Sequence, residues 1–236
     1  SGLVKAALLH SVRGIPRLNM MKHTDREYEQ ELESLREHVL LMGARVEELL
    51  GGAMKAFEER DPELASRVAA SDERVDQLEV EIDEMALRIL ARRQPVASDL
   101  RFITTTLKLV TDLERVADLG VNICERVVEC GQGGNPLPMR ASLLRMAGAA
   151  LAMFHDALDS FVAGDVTRAR QVVARDREVD SYYAQIFPEF VSYLVREPSL
   201  VEYATRMQAI GKYLERIADH ATNLAEMVEF MVRGQD

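Results

Sequence analysis

One six-residue run occurs twice in this chain. Leu113-Glu114-Arg115-Val116-Ala117-Asp118, with Asn122 and Glu125 following, returns at a shift of 101 as Leu214-Glu215-Arg216-Ile217-Ala218-Asp219, with Asn223 and Glu226. Every polar position named is kept. A period this long marks a duplicated unit and not a short solenoid repeat, so the fold must be one that can be built twice. In each copy Glu and Asp stand four apart, one above the other on a helix. Like charges so placed repel, and their retention calls for a reason.

A second stretch repeats at a shift of 104. Phe57, Asp61, Ala65, Asp72, Val75 and Asp76 match Phe161, Asp165, Ala169, Asp176, Val179 and Asp180. The change from 104 to 101 places a three-residue deletion between the second and third helices of copy two. Leu32, Leu35, Val39, Met42, Val46, Leu49, Leu50 and Phe57 recur at helical steps, predicting a first helix over 25–59. Thr24 or Asp25 is its expected N-cap, and Gly51-Gly52 weakens it locally. Asp61-Pro62 restarts the chain, a cap followed by Pro at the first helical position, and a second helix runs to about Arg93. Gln94-Pro95-Val96-Ala97 is a break, and Ser98 is expected to cap a third helix reaching about Cys130.

Residues 131–138, with three Gly and two Pro, read as a linker. The plan then repeats over 139–162, 166–196 and 198–233, with Pro188 predicted to kink the fifth helix. No stretch keeps the two-residue β period. The fold expected is all-α, six long helices arranged as two tandem three-helix bundles, residues 21–130 and 139–236. Residues 1–20 read differently and are set aside as a leader or an expression-derived segment, with Met20 or Met21 as the native start.

Charge narrows the partners. Acidic residues number 39 against 29 basic, a net charge of −10, which argues against nucleic acid, whose binders need a net basic face. It suits cations, or a partner with basic patches. The longest apolar run, 146–154, is far short of the ~18–20 residues of a membrane span, so no direct membrane insertion is expected. Cys124 and Cys130 make no disulfide framework and point to a reducing compartment. Their counterparts are Ala225 and Met231, so they read as apolar filler.

The carboxylates carry the chemistry. Copy one pairs Asp72 with Asp76 on its second helix and Glu114 with Asp118 on its third; copy two pairs Asp176 with Asp180 and Glu215 with Asp219. Asn122 and Glu125, and Asn223 and Glu226, extend the third-helix stripes. Positions 114, 118, 122 and 125 fall within roughly 80° of one another. Leu109, Leu113, Val116, Ile123 and Val127 form a separate face roughly 130–140° away. The acidic stripe therefore belongs on the surface, or in a groove between the second and third helices.

A solvated acidic face is the plain reading of such charges. Four like-charged pairs in register, in both copies, favour a metal site instead. All-oxygen ligation selects a hard cation, iron, manganese or magnesium, and bridging carboxylates allow a polynuclear cluster. Arg115 and Arg216 lie beside the pairs to offset charge. His220 adjoins Asp219, but copy one has Leu119 there, so a shared nitrogen ligand is disfavoured. No His has Glu or Asp three residues before it, which disfavours a ferritin-like di-iron site. There is no Gly-x-Ser-x-Gly, P-loop or dinucleotide-binding run, and nothing resembles a nucleophile with its base.

The duplicated Leu-Glu-Arg-Val-Ala-Asp motif resembles the signature of the PhoU family, as do Met42-Gly43 and Gln94-Pro95-Val96-Ala97-Ser98-Asp99-Leu100-Arg101. The resemblance covers about 24–233. It implies a cytoplasmic, often dimeric protein of two three-helix bundles with surface metal clusters. Its acidic motif falls on Glu114/Asp118 and Glu215/Asp219, with Asp72/Asp76 and Asp176/Asp180 as the other side of each cluster. The family's implied role is a non-enzymatic adaptor that touches the ATPase subunit of the high-affinity phosphate importer and a sensor histidine kinase. It represses the phosphate-starvation response and restrains uptake.

Copy two departs from the pattern. Pro188 interrupts its helix, Glu197-Pro198-Ser199-Leu200 replaces Gln-Pro-Val-Ala, and Tyr183 and Phe187 stand where copy one has Glu79 and Asp83. The first cluster is therefore expected to be the stronger. The alternatives are a similar bundle serving another transporter or kinase, and a multi-metal hydrolase. The hydrolase is disfavoured because a convex face offers no substrate-holding group. No basic pocket is evident in the sequence, so direct phosphate binding is not expected.

Overall fold

The computed structural model describes residues 26–131 and 139–234. The proposed leader, the Thr24 or Asp25 cap and linker residues 132–138 lie outside them. Helices α1 (Arg26–Glu59), α2 (Pro62–Ala69), α3 (Glu73–Arg92) and α4 (Ala97–Cys130) make the first repeat. The second is α5 (Met139–Ala163), α6 (Val166–Arg196) and α7 (Val201–Arg233), with a 3-10 turn over Pro198–Leu200. No strand occurs among the described residues, and no helix among them is long and apolar enough to cross a membrane.

The second of the six expected helices is cut in two. Across residues 70–72 the backbone bonds tighten to three-residue spacing, as in Asp72 N–H to Ala69 O (3.2 Å) and Val75 N–H to Asp72 O (2.6 Å). Ser71 is the cause: its hydroxyl (2.6 Å) and its amide (3.0 Å) both donate to the Val68 carbonyl, the local bonding that makes Ser a poor helix-interior residue. Copy two has Arg175 at this position, and α6 runs through unbroken. It also continues through Pro188. Ser98 does not cap α4: the helix begins one residue earlier, after an extended Val96, and Ser98 Oγ donates instead to Asp99 Oδ1 (3.4 Å).

The two restart turns are built alike. Asp61 accepts from the amides of Glu63 and Leu64, each at 2.9 Å, and Asp165 from those of Thr167 and Arg168 at 2.9 and 3.0 Å. Each cap follows a left-handed residue, Gly164 at φ 61° and its counterpart Arg60 at φ 56°. Only glycine adopts that backbone without steric cost.

The long helices α1, α4, α5 and α7 form the centre, and α2, α3 and α6 flank them. Helices α4 and α7 run antiparallel across the repeat boundary. Arg101 Nε donates to Met231 O (3.4 Å), Asp112 Oδ1 meets His220 Nδ1 (2.7 Å), and Arg206 Nε donates to Glu129 (3.2 Å). Asp112 and Leu119 correspond to Tyr213 and His220, so one pseudo-two-fold relates the repeats about this pair of helices. Helices α1 and α5 repeat the arrangement, with Arg140 on the Phe57 carbonyl (3.1 Å) and His155 on Glu47 (2.6 Å). Phe102 stacks on Phe161 between the copies, centroids 6.3 Å apart.

The apolar stripes are buried as their spacing requires: Leu109, Leu113, Val116 and Ile123 on α4, and Leu35, Val39, Met42, Val46 and Leu50 on α1. Each such side chain contributes about 1.5–3 kcal/mol. At Gly120 an added Cβ would lie 2.3 Å from Leu49 Cδ2, so α4 approaches α1 more closely there than a side chain permits. Cys124 is fully buried, and burial pushes its thiol up to about 11.

Gly164→Ala keeps ordinary contact, 3.6 Å to Val232, and adds only backbone strain. It is expected to lower stability by about 1 kcal/mol in urea denaturation. An unchanged midpoint would mean that the turn relaxes out of the left-handed region.

Candidate functional site

Helices α3 and α4 enclose the first acidic groove. Val75, Leu78 and Ile82 hold α3 to the core, which leaves Asp72, Asp76, Glu79 and Asp83 toward the groove edge. Leu113, Val116 and Ala117 do the same for α4 and leave Glu114 and Asp118 half-buried. These carboxylates are thus kept out of the core, as the angular offset from the apolar face requires.

The carboxylates feel one another. Asp72 sits at the N-cap position of α3 but makes no capping bond, and its Oδ1 is buried with no hydrogen-bond partner among the described residues. Burial, then the charges of Asp76 and Asp118, push its carboxyl up to about 6. Glu79 is raised by burial and by Asp83 and Asp76. Glu114 is raised by burial and by Asp118, with Arg115 opposing. The Arg115 guanidinium lies 3.5 Å from Glu114 and 3.9 Å from Asp118, so it does offset the pair. No three His, Cys, Asp or Glu side chains among the described residues are gathered at one point. Burial and mutual repulsion along this edge disfavour the ionised forms of Asp72, Glu79 and Glu114.

Copy two answers the same problem differently. Burial, then the Asp180 charge, raises Asp176, against a 3.5 Å hydrogen bond from the Thr222 hydroxyl. Asp219 is raised by burial, Glu215 and Asp176, with Lys212 opposing. Lys212 is ion-paired with Glu215 and stands over the Tyr183 ring, 5.7 Å from its centroid. Copy one has Thr111 and Glu79 at these two positions. The second groove thus carries its own ammonium where the first carries a further carboxylate.

The remaining candidates stay apart from this group. Glu125 is exposed and bonds Arg126 at 3.2 Å; Asn122 is half-buried, and Asn223 and Glu226 are exposed. His220 is bound to Asp112, both under 20% exposed at 17% and 16%, and serves the repeat interface. Lys212 and Thr222 escaped the sequence reading because their counterparts, Thr111 and Val121, have different chemistry and the repeat gives no signal there.

Asp72 offers a direct check. Its folded value, about 6, lies above the ordinary 3.8, so the proton favours the folded chain. The stability it supplies is full below 3.8 and is lost as pH rises through about 6. In chelator-treated protein, Asp72→Asn is expected to gain about 1 kcal/mol near pH 7.5, after allowance for solvent screening, and less near pH 4.5. Urea denaturation at both pH values measures it, and a loss near pH 7.5 would contradict a repelled, unpartnered carboxylate.

Comparison with known proteins places the chain. The PhoU domain model matches twice, at residues 39–127 and 143–228. The phosphate-specific transport system accessory protein PhoU homolog of Caulobacter vibrioides is 37% identical over 217 residues, 92% of this chain and 94% of that protein. The phosphate-specific transport system accessory protein PhoU of Escherichia coli K12 is 34% identical, covering 93% and 90%. The crystal structure of PhoU from Pseudomonas aeruginosa superimposes with a TM-score of 0.85 at 36% identity, over 88% of this chain and all of that one. The duplicated acidic motif, the two bundles and these matches agree, and the chain belongs to the PhoU family.

Proposed function

We propose that this chain is a cytoplasmic, non-enzymatic adaptor of phosphate transport. It couples the ATPase subunit of the high-affinity phosphate importer to a sensor histidine kinase, lowers uptake and represses the starvation response when phosphate is plentiful, and acts as a homodimer. The carrying observation is relatedness over nearly the whole chain to proteins named as accessory proteins of phosphate-specific transport. In a host lacking its own family member, the chain is expected to restore repression of a phosphate-starvation reporter. Reporter output that stays high while folded protein accumulates would sink the role.

We further propose that the first groove holds a hard cation, iron, manganese or magnesium, singly or as a cluster. Asp72, Asp76, Glu114 and Asp118 would hold it, with Asp176, Asp180, Glu215 and Asp219 as the second, weaker set. The orphaned, buried Asp72 Oδ1 and the mutual repulsion of an all-oxygen donor set support this. A cation would supply the charge that the groove lacks. The second groove already has Lys212 against Glu215, so less is left for a metal to neutralise.

Elemental analysis of protein purified without chelator tests the metal reading separately from the role. Glu114→Ala/Asp118→Ala is expected to lose most of the bound metal, and Glu215→Ala/Asp219→Ala a smaller share. Equal metal in all three proteins, or none in any, would return the stripe to a solvated face.

A further inference from the structure

The chain is acidic overall, yet three guanidiniums share one concavity. Arg45 of α1, Arg67 in the last turn of α2 and Arg74 near the start of α3 line it with Glu48, Val68 and Ser71, around a volume of 270 Å³. The break at residues 70–72 brings Arg67 and Arg74 to the same opening from two helices. Spread over positions 45, 67 and 74, these arginines make no basic run in the sequence, and the expectation of no basic pocket fails on this turn.

The arginines are weakly committed. Arg67 has no carboxylate partner among the described residues. Among the described residues Arg45 pairs with Glu48 one turn on (2.8 Å), at 48% and 71% exposure. Arg74 reaches Gln77 (3.1 Å) and Glu81 (3.3 Å), also at the surface. Exposed pairs of this kind are worth about 0–1 kcal/mol and exchange readily for another carboxylate. A last-turn arginine also suits the helix dipole, but that accounts for Arg67 alone.

The duplication supplies the control. The positions equivalent to Arg45, Arg67 and Arg74 are Ala149, Gln171 and Glu178. Copy two packs its counterpart helix, the unbroken α6, with none of the three cations, so burial of these helix faces does not require them. In copy two the arginine that replaces Ser71, Arg175, is taken up by Asp156 at 2.6 Å.

We infer that the Arg45–Arg67–Arg74 concavity is a docking surface for an acidic segment of a protein partner. Guanidinium forks recognise carboxylates in a planar, two-bond geometry, and several forks around one opening suit a run of them. The opening is broad and solvated, so one small anion would gain only screened contacts. A segment with several carboxylates engages all three arginines at once. The rest of the acidic surface repels the same segment and leaves this face as the place of encounter.

The inference rests on the adaptor reading only in requiring a partner. Fluorescence anisotropy with fluorescein-labelled hexaglutamate reads the surface itself, and the starvation reporter reads the role, so either can fail alone. The full chain is expected to bind the peptide saturably. Arg45→Gln/Arg67→Gln/Arg74→Gln should weaken it about tenfold or more, with the helical circular dichroism unchanged. Lys55→Gln/Arg88→Gln/Arg177→Gln, which removes the same charge elsewhere, should not. Absent peptide binding, or equal weakening in both variants, would overturn the inference. So would saturable binding of inorganic phosphate that displaces the peptide, or a change of oligomeric state confined to the first variant, which would assign the face to a second copy.

Discussion

Helices α4 and α7 each carry two faces that cannot share an environment, and the rest of the architecture follows from keeping them apart. The apolar face of each packs into the core and against the other helix across the repeat boundary. Burial of that face fixes the rotation of both helices, and their acidic stripes have nowhere to go but outward, toward α3 and α6. An acidic face in a core would need partners for every charge. At the groove edge it needs only partial solvent, and the cost appears as carboxyl groups that release their protons less readily rather than as unfolding. The pseudo-two-fold about the same pair of helices places one groove on each repeat.

Much of this was legible in the sequence because it rests on rules that act locally. Helix ends at Glu59, Cys130 and Arg196 follow Asp caps, Gly and Pro. The depth of the acidic stripe follows from its rotation against Leu113 and Val116. What failed depended on competition between local bonds. Ser71 looks innocuous in an apolar pattern, yet two bonds to one carbonyl split the helix. Ser98 is a fair cap by type, but α4 begins one residue before it.

Features built from residues distant in sequence were invisible for a different reason. Lys212 neutralises Glu215 from within its own helix, but the meaning of that pair depends on Tyr183 contributed by α6. The sequence disfavoured His220 as a ligand but gave no sign of its actual partner, Asp112, which comes from the other repeat. Duplication also let the copies part company. One groove became more acidic through Glu79 and Asp83, the other acquired an internal cation, and one only gained the basic concavity.

The turn at residues 70–72 joins two opposite electrostatic surroundings through a single peptide link. Ser71 lines the basic concavity, and Asp72, the next residue, lies in the acidic groove with one oxygen unsatisfied. Such a link has only two soft dihedrals on either side. One local conformation therefore fixes the edge of both surroundings, and neither can be rearranged there without moving the other.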